Sequence, residues 1–198
     1  MDLSFTSAVV ILLLVMDPIG NIPLFVSLLR QVEPARRPRV ILRECLIAFA
    51  VLLAFVFFGG AILGVLGLSD RSLTLAGGVI LFLIALRMIF RRPEGVFGDT
   101  PESEPFIVPL AIPAIAGPAA IATVMLLVSR APQRLLEWCV AVSVAMLVTA
   151  VLLVSADRLA RLAGEQGLLA FERLMGLILT AVAVEMLLRG IEAFVHSL

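Results

Sequence analysis

Six long apolar runs, separated by short links of proline, glycine and arginine, constrain this chain of 198 residues more than any other feature. A helix crosses the roughly 30 Å hydrocarbon core of a bilayer with about 20 apolar residues at 1.5 Å each. The qualifying runs are Leu3 to Leu29, Val40 to Leu66, Leu73 to Phe90, Phe106 to Val128, Leu135 to Ser155 and Leu168 to Val195. Only 15% of residues are charged and 62% are hydrophobic, whereas a soluble domain has about 25% charged. Charges this few, summing to zero, exclude a soluble globular domain, a disordered tail and a nucleic-acid binder. The expected fold is an all-α membrane protein of six transmembrane helices in a lipid bilayer.

The links carry the expected breakers: Pro34 and Pro38 between Gln31 and Arg39, the turn Gly67-Leu68-Ser69-Asp70, Arg130-Ala131-Pro132, and Gly164 to Gly167. Residues 93–105, rich in Glu, Pro and Gly, divide the chain into a first three-helix unit (1–92), a cytoplasmic linker and a second three-helix unit (106–198) of one membrane domain. Eleven of the fifteen arginines follow the first, third and fifth spans, in clusters from Arg30 to Arg43, Arg87 to Arg92 and Arg158 to Arg173. Arginine-rich flanks stay in the cytoplasm, which predicts both termini outside and Trp138 near the outer interface. Met1-Asp2-Leu3 has no basic n-region, and the first run is too long for a signal peptide, so it reads as a permanent span. Cys45 and Cys139 read as small buried hydrophobes and His196 as a solvated residue.

The two halves resemble one another. A shift of 100 places Asp17-Pro18-Ile19-Gly20 on Gly117-Pro118-Ala119-Ala120, and a shift of 98 places Gly78–Met88 on Gly176–Met186 with five identities in eleven. Both matches pair the first span with the fourth and the third with the sixth. Three spans per half is an odd number, so the halves cross in opposite directions, as two inverted repeats. The first helix of each half is expected to break mid-membrane: Pro18, Gly20 and Pro23 interrupt one, and Pro109, Pro113, Gly117 and Pro118 the other. Pro18 and Pro118 read as first-turn prolines of the second half-helices.

A broken span offers free N–H groups and a positive dipole end to an anion, and carbonyls to a cation. Gly20, Gly117, Ala119 and Ala120 let a ligand approach that backbone closely. Asp17, central in its span, reads either as an N-cap of the following half-helix or as a ligand-binding acid, and the two are compatible. Asn21 lies one turn on, facing the same cavity or packing as an amide. Thr123 and Thr180 line the site or bond their own helices. Glu185 pairs with Arg189 one turn later, in the favourable acid-first order, or relays protons. Gly60 with Gly64, and Gly77-Gly78, are small faces for helix packing. No histidine lies within a span, and Asp17 has no second central acid beside it, which argues against an enzyme and against a metal centre.

Met16-Asp17-Pro18-Ile19-Gly20-Asn21-Ile22-Pro23, together with Pro109 to Pro118, Ala76-Gly77-Gly78 and Arg173-Leu174-Met175-Gly176, resembles the MarC family of bacterial inner-membrane proteins over essentially the whole chain. One branch of that family, the SnatA-type proteins, transports small neutral amino acids. The resemblance implies six spans, a bacterial inner-membrane location and transport of amino acids such as glycine, alanine, serine or threonine. The chain departs from the family pattern at Ala119-Ala120, where a second glycine follows the Gly-Pro, and at Glu185, where glutamine is common. Those differences bear on substrate size and coupling ion rather than on fold. The expected function is a secondary transporter with its site between the two breaks, built from Asp17, Gly20, Asn21, Gly117, Ala119, Ala120 and Thr123. Coupling to H+ or Na+ falls to Asp17 or Glu185, no other cofactor is expected, and a homo-oligomer is compatible with the sequence. The alternatives are an exporter or channel for another small solute, and a structural or regulatory membrane protein without transport.

Overall fold

The computed structural model describes residues 4–29, 32–67, 69–90 and 114–195, and all regular structure among them is helical. The linker 93–105, Pro109, Pro113 and His196 lie outside the described residues. The helices are α1 Phe5–Met16, α2 Ile22–Leu28, α3 Arg37–Leu66, α4 Asp70–Ile89, α5 Pro118–Arg130, α6 Leu135–Val154 and α7 Ala156–Val195, with a 3-10 turn at Pro132–Arg134. Arg37–Ile62, Pro132–Val154 and Leu169–Val195 are each long and apolar enough to cross a membrane. Shorter apolar stretches, Phe5–Met16, Thr74–Leu86 and Pro118–Arg130, stand where the first, third and fourth spans are expected.

Local chemistry sets the helix ends. The Ser4 and Ser69 hydroxyls accept the N–H groups of Ser7 and Ser72, capping α1 and α4. Gly67, at φ +63°, follows the end of α3 in a conformation that a Cβ disfavours. Gly164, at φ +67° and ψ 171°, leaves the helical region within Ala156–Val195 and so breaks it where a link is expected, with helix resuming at residue 165.

The packing is built on narrow small-residue stripes. On α6 Ala141, Val142, Ala145, Met146, Thr149 and Leu153 are buried at helical spacing, with Trp138 at the top. Lipid is as apolar as leucine, so helices associate here by close contact, and alanines and glycines permit it. α3 packs on α5 and α6, α1 on α5 and α6, α4 on α5 and α7, and α2 on α7. The α4–α7 pair makes the most extensive contact. A Cβ added at Gly78 would lie 3.3 Å from Ala183 O, and one added at Gly176 would lie 3.1 Å from Ala85 O. Numbering rises along one helix as it falls along the other, so α4 and α7 run antiparallel. Gly77 packs at the start of α5, where an added Cβ would come within 2.9 Å of Ala122 Cβ. Gly60 and Gly64 meet nothing within 4 Å, so that small face has no neighbour among the described residues.

Trp138 is 1% exposed. Its Nε1 donates to Ala131 O at 2.9 Å, and the Arg134 guanidinium lies 4.6 Å from its ring centroid. Both cysteines are free, Cys45 buried and Cys139 half-buried.

Candidate functional site

The first break begins at Asp17. A residue before proline is disfavoured in the right-handed helical region, so α1 ends at Met16. Asp17 turns to φ 41°, ψ 60°, the left-handed region that Asp tolerates better than most side chains. Its N–H still bonds Leu13 O, making it the C-cap of α1. This corrects the N-cap expectation, since an acid before a proline serves either end and only the backbone angle decides. The carboxylate does hold the turn, because Oδ1 accepts the Gly20 N–H at 3.0 Å. Pro18 lies in a single turn closed by the Asn21 N–H on Asp17 O at 3.0 Å, and regular helix resumes at Ile22. Pro23, not Pro18, is therefore the first-turn proline of α2, at a place where its missing N–H leaves no bond unmade.

The second break has no polar side chain in its described part. Ala114 and Ile115 are π-helical, Gly117 extends to φ −72°, ψ 165°, and Pro118 opens α5 at N1. Gly117 makes no side-chain cap, and the next N–H groups, of Ala119 and Ala120, have no intrahelical acceptor by geometry. Both alanines are buried, at 4% and 1% exposure. A buried helix start of this kind holds a positive partial charge for an anion.

Asn21 joins the breaks. Its Nδ2 donates to Met16 O at 2.9 Å and to Ala114 O at 3.1 Å. Both amide hydrogens are thereby committed across the two segments, leaving Oδ1 as the remaining acceptor. Asp17 is 5% exposed beside it, and the tip of Met88 from α4 would lie 2.6 Å from a Cβ on Gly20. The break is thus covered by a flexible thioether side chain.

The remaining expected residues fall into two groups. Thr123 is buried near the start of α5, but its hydroxyl donates to Ala119 O at 2.8 Å; Thr180 likewise donates to Gly176 O at 2.7 Å. Glu185 stands apart from the breaks, on an exposed face of α7, where Arg189 Nε donates to its Oε1 at 2.7 Å. Pro113 lies outside the described residues.

One acid escaped the sequence reading. Glu44, in α3, is 0% exposed. The signal was present: Ile41, Glu44, Cys45, Ala48, Leu52 and Val56 recur at helical spacing on the buried face.

The model of the MarC family of integral membrane proteins matches residues 3–195. The chain is 46% identical over 192 residues to the UPF0056 inner membrane protein YhgN of Escherichia coli (strain K12), covering 96% of this chain and 98% of that protein. It is 35% identical over 196 residues to the UPF0056 membrane protein MJ0972 of Methanocaldococcus jannaschii, covering 94% and 86%. No solved structure matches it significantly. A family match over nearly the full length, joined to a helical fold with three clear membrane-span helices, means that the chain belongs to the MarC family of integral membrane proteins.

Proposed function

We propose that this protein is a secondary transporter of small neutral amino acids across a bacterial inner membrane, with its site between the two breaks. The observation that carries the reading is the Asn21 amide, which bonds Met16 O at one break and Ala114 O at the other. Through it, a buried carboxylate and a buried, uncapped helix start belong to one spot. A zwitterion fits such a spot. Its carboxylate sits on the N–H groups around Gly117, Ala119 and Ala120, and its ammonium meets Asp17 Oδ, Asn21 Oδ1 and carbonyls of the first break. Small side chains suit the space beside Gly20, where Met88 already rests.

The inverted six-span repeat belongs to the same reading, and the helix contacts support it. Residues 78 and 176 are equivalent under the 98-residue shift, as are 85 and 183. The Gly78–Ala183 approach therefore has its counterpart in Gly176–Ala85, which is what a two-fold relation between halves produces. Another contact pairs off likewise: α2 on α7 answers α5 on α4. Rocking of one three-helix unit against the other gives alternating access, with both termini outside according to the arginine distribution.

The test is the melting temperature of the detergent-purified protein against a panel of amino acids, with and without sodium and at two pH values. Selective stabilisation by glycine, alanine, serine or threonine supports a small-zwitterion site. Stabilisation by another solute class turns the reading to a different exporter or channel. Silence across the panel in a folded sample turns it to a structural or regulatory role.

A further inference from the structure

We propose that Glu44 is a proton-binding site, with a water-sized cavity one turn before it on α3, and that its proton is the coupling ion of the transporter proposed above. The first half stands on geometry alone; the second rests on the transport reading. Glu44 is the eighth residue of α3, Arg37–Leu66, and its side chain is 0% exposed. Arg43 grips only one oxygen, with Nε at 2.9 Å and a terminal nitrogen at 2.8 Å, both on Oε1. Oε2 is buried and has no hydrogen-bond partner among the described residues. Buried polar atoms are paired in the great majority of cases, so an orphan calls for a specific reason. An ionisable group on a membrane-spanning helix is a functional candidate in its own right.

A cavity of about 40 Å³ lies on the same face of α3, bounded by Phe25, Leu29, Arg37, Ile41, Leu153 and Asp157 among others. That volume accommodates about two or three waters. Arg37 and Asp157 meet at 3.0 Å on its wall and supply the polar groups that water needs. Ile41 ends the cavity on α3, and Glu44 follows it by three residues on the same buried stripe. On the opposite wall Phe25 bonds Asn21 O through its N–H at 3.0 Å, so the cavity also ends one turn from the first break. Its lining therefore reaches the residue three places before Glu44 on α3 and the residue four places after Asn21.

The groups around Glu44 leave the proton as the cargo. On its own helix Arg43 holds Oε1 and Cys45 follows. The buried faces of α5 and α6, which pack on α3, bring no ionisable side chain among the described residues; their polar members, Thr123 and Thr149, donate to their own helices. A metal cation asks for several oxygen ligands, and Glu44 brings one unpartnered oxygen. A proton taken from water forms one O–H bond at Oε2 and changes the side chain from −1 to neutral, and its return to water reverses both.

The experiment is pH-difference infrared spectroscopy of the full chain in lipid, following the protonated-carboxyl C=O band in H2O and D2O. The expected band titrates, is lost in Glu44→Gln and survives in Asp17→Asn. A titrating band unchanged in folded Glu44→Gln overturns the site. If that variant does not fold, Glu44→Asp, which keeps a carboxyl, decides: a titrating band shifted from its wild-type position supports Glu44, and an unshifted band overturns it. Displacement of the band by sodium overturns the choice of the proton. In proteoliposomes Glu44→Gln should retain amino-acid exchange and lose at least tenfold of the accumulation driven by a pH gradient. Unchanged accumulation overturns the coupling role while the infrared result stands. Wild-type protein that moves no amino acid overturns the transport reading, and the coupling role falls with it.

Discussion

The two breaks differ in backbone and in chemistry. The first is held by side chains: the Asp17 carboxylate caps the Gly20 N–H, and Asn21 ties Met16 O to Ala114 O. The second is made of alanine, isoleucine, glycine and proline, and its polarity is all backbone. A protein that needed only a kink would not require a buried acid on one side. One that needed only an anion site would not require the acid at all. On the proposed reading, the pairing of a buried carboxyl group with the N–H groups of a helix start suits a ligand that carries both charges.

The difference is broken most completely at Asp17. Asp17→Asn keeps an oxygen for the Gly20 N–H, so the melting temperature should stay near that of wild type while transport and amino-acid stabilisation disappear. Normal transport by that variant would reduce Asp17 to a cap. Gly20→Ala should be next. Its Cβ would press on the Asp17 carboxylate and lie 2.6 Å from Met88 Cε. Forced repacking of this kind costs about 1–3 kcal/mol, so both ligand response and stability should fall. Pairing it with Met88→Ala should restore part of each, because the tip of Met88 is one of the two obstructions.

Asn21→Leu tests the link between the breaks. It removes both donated bonds and leaves Met16 O and Ala114 O without their amide partner, at about 1–3 kcal/mol for each buried group. The expected result is a lower melting temperature together with weaker ligand response. A fall in stability alone would separate the link from the site.

How much of this was legible turns on the range of each interaction. The Asp-Pro interruption and the small faces of α4 are local patterns, and the chain could be read for them directly. The direction of the Asp17 cap was not readable, since the choice between N-cap and C-cap lies in one φ angle. The Asn21–Ala114 bond joins residues 93 apart, and no local pattern encodes it. Glu44 was readable but sits beside Arg43, at the end of a cluster of arginines that reads as a solvated flank. Its position on the Ile41–Val56 stripe, rather than the charge of its neighbours, was the better guide.

Smaller effects sharpen the comparison from outside it. Thr123→Val removes a hydroxyl that already donates to Ala119 O at 2.8 Å, so transport should change by less than about threefold, corresponding to under 1 kcal/mol. Glu185 and Arg189 form the weakest test by size and a useful one by logic. Their side chains are 55% and 53% exposed on α7, and an i,i+4 pair in water contributes about 0.3–0.5 kcal/mol. If this face is wet, Glu185→Gln, Arg189→Gln and the double variant should all melt within a degree or two of wild type. If it faces lipid or a second copy, the single Glu185→Gln should melt lowest, because an arginine without its partner is costly there. The double variant should then recover. In either environment transport and its driving ion should be unchanged; a selective loss of gradient-driven accumulation in Glu185→Gln would move coupling from Glu44 to α7.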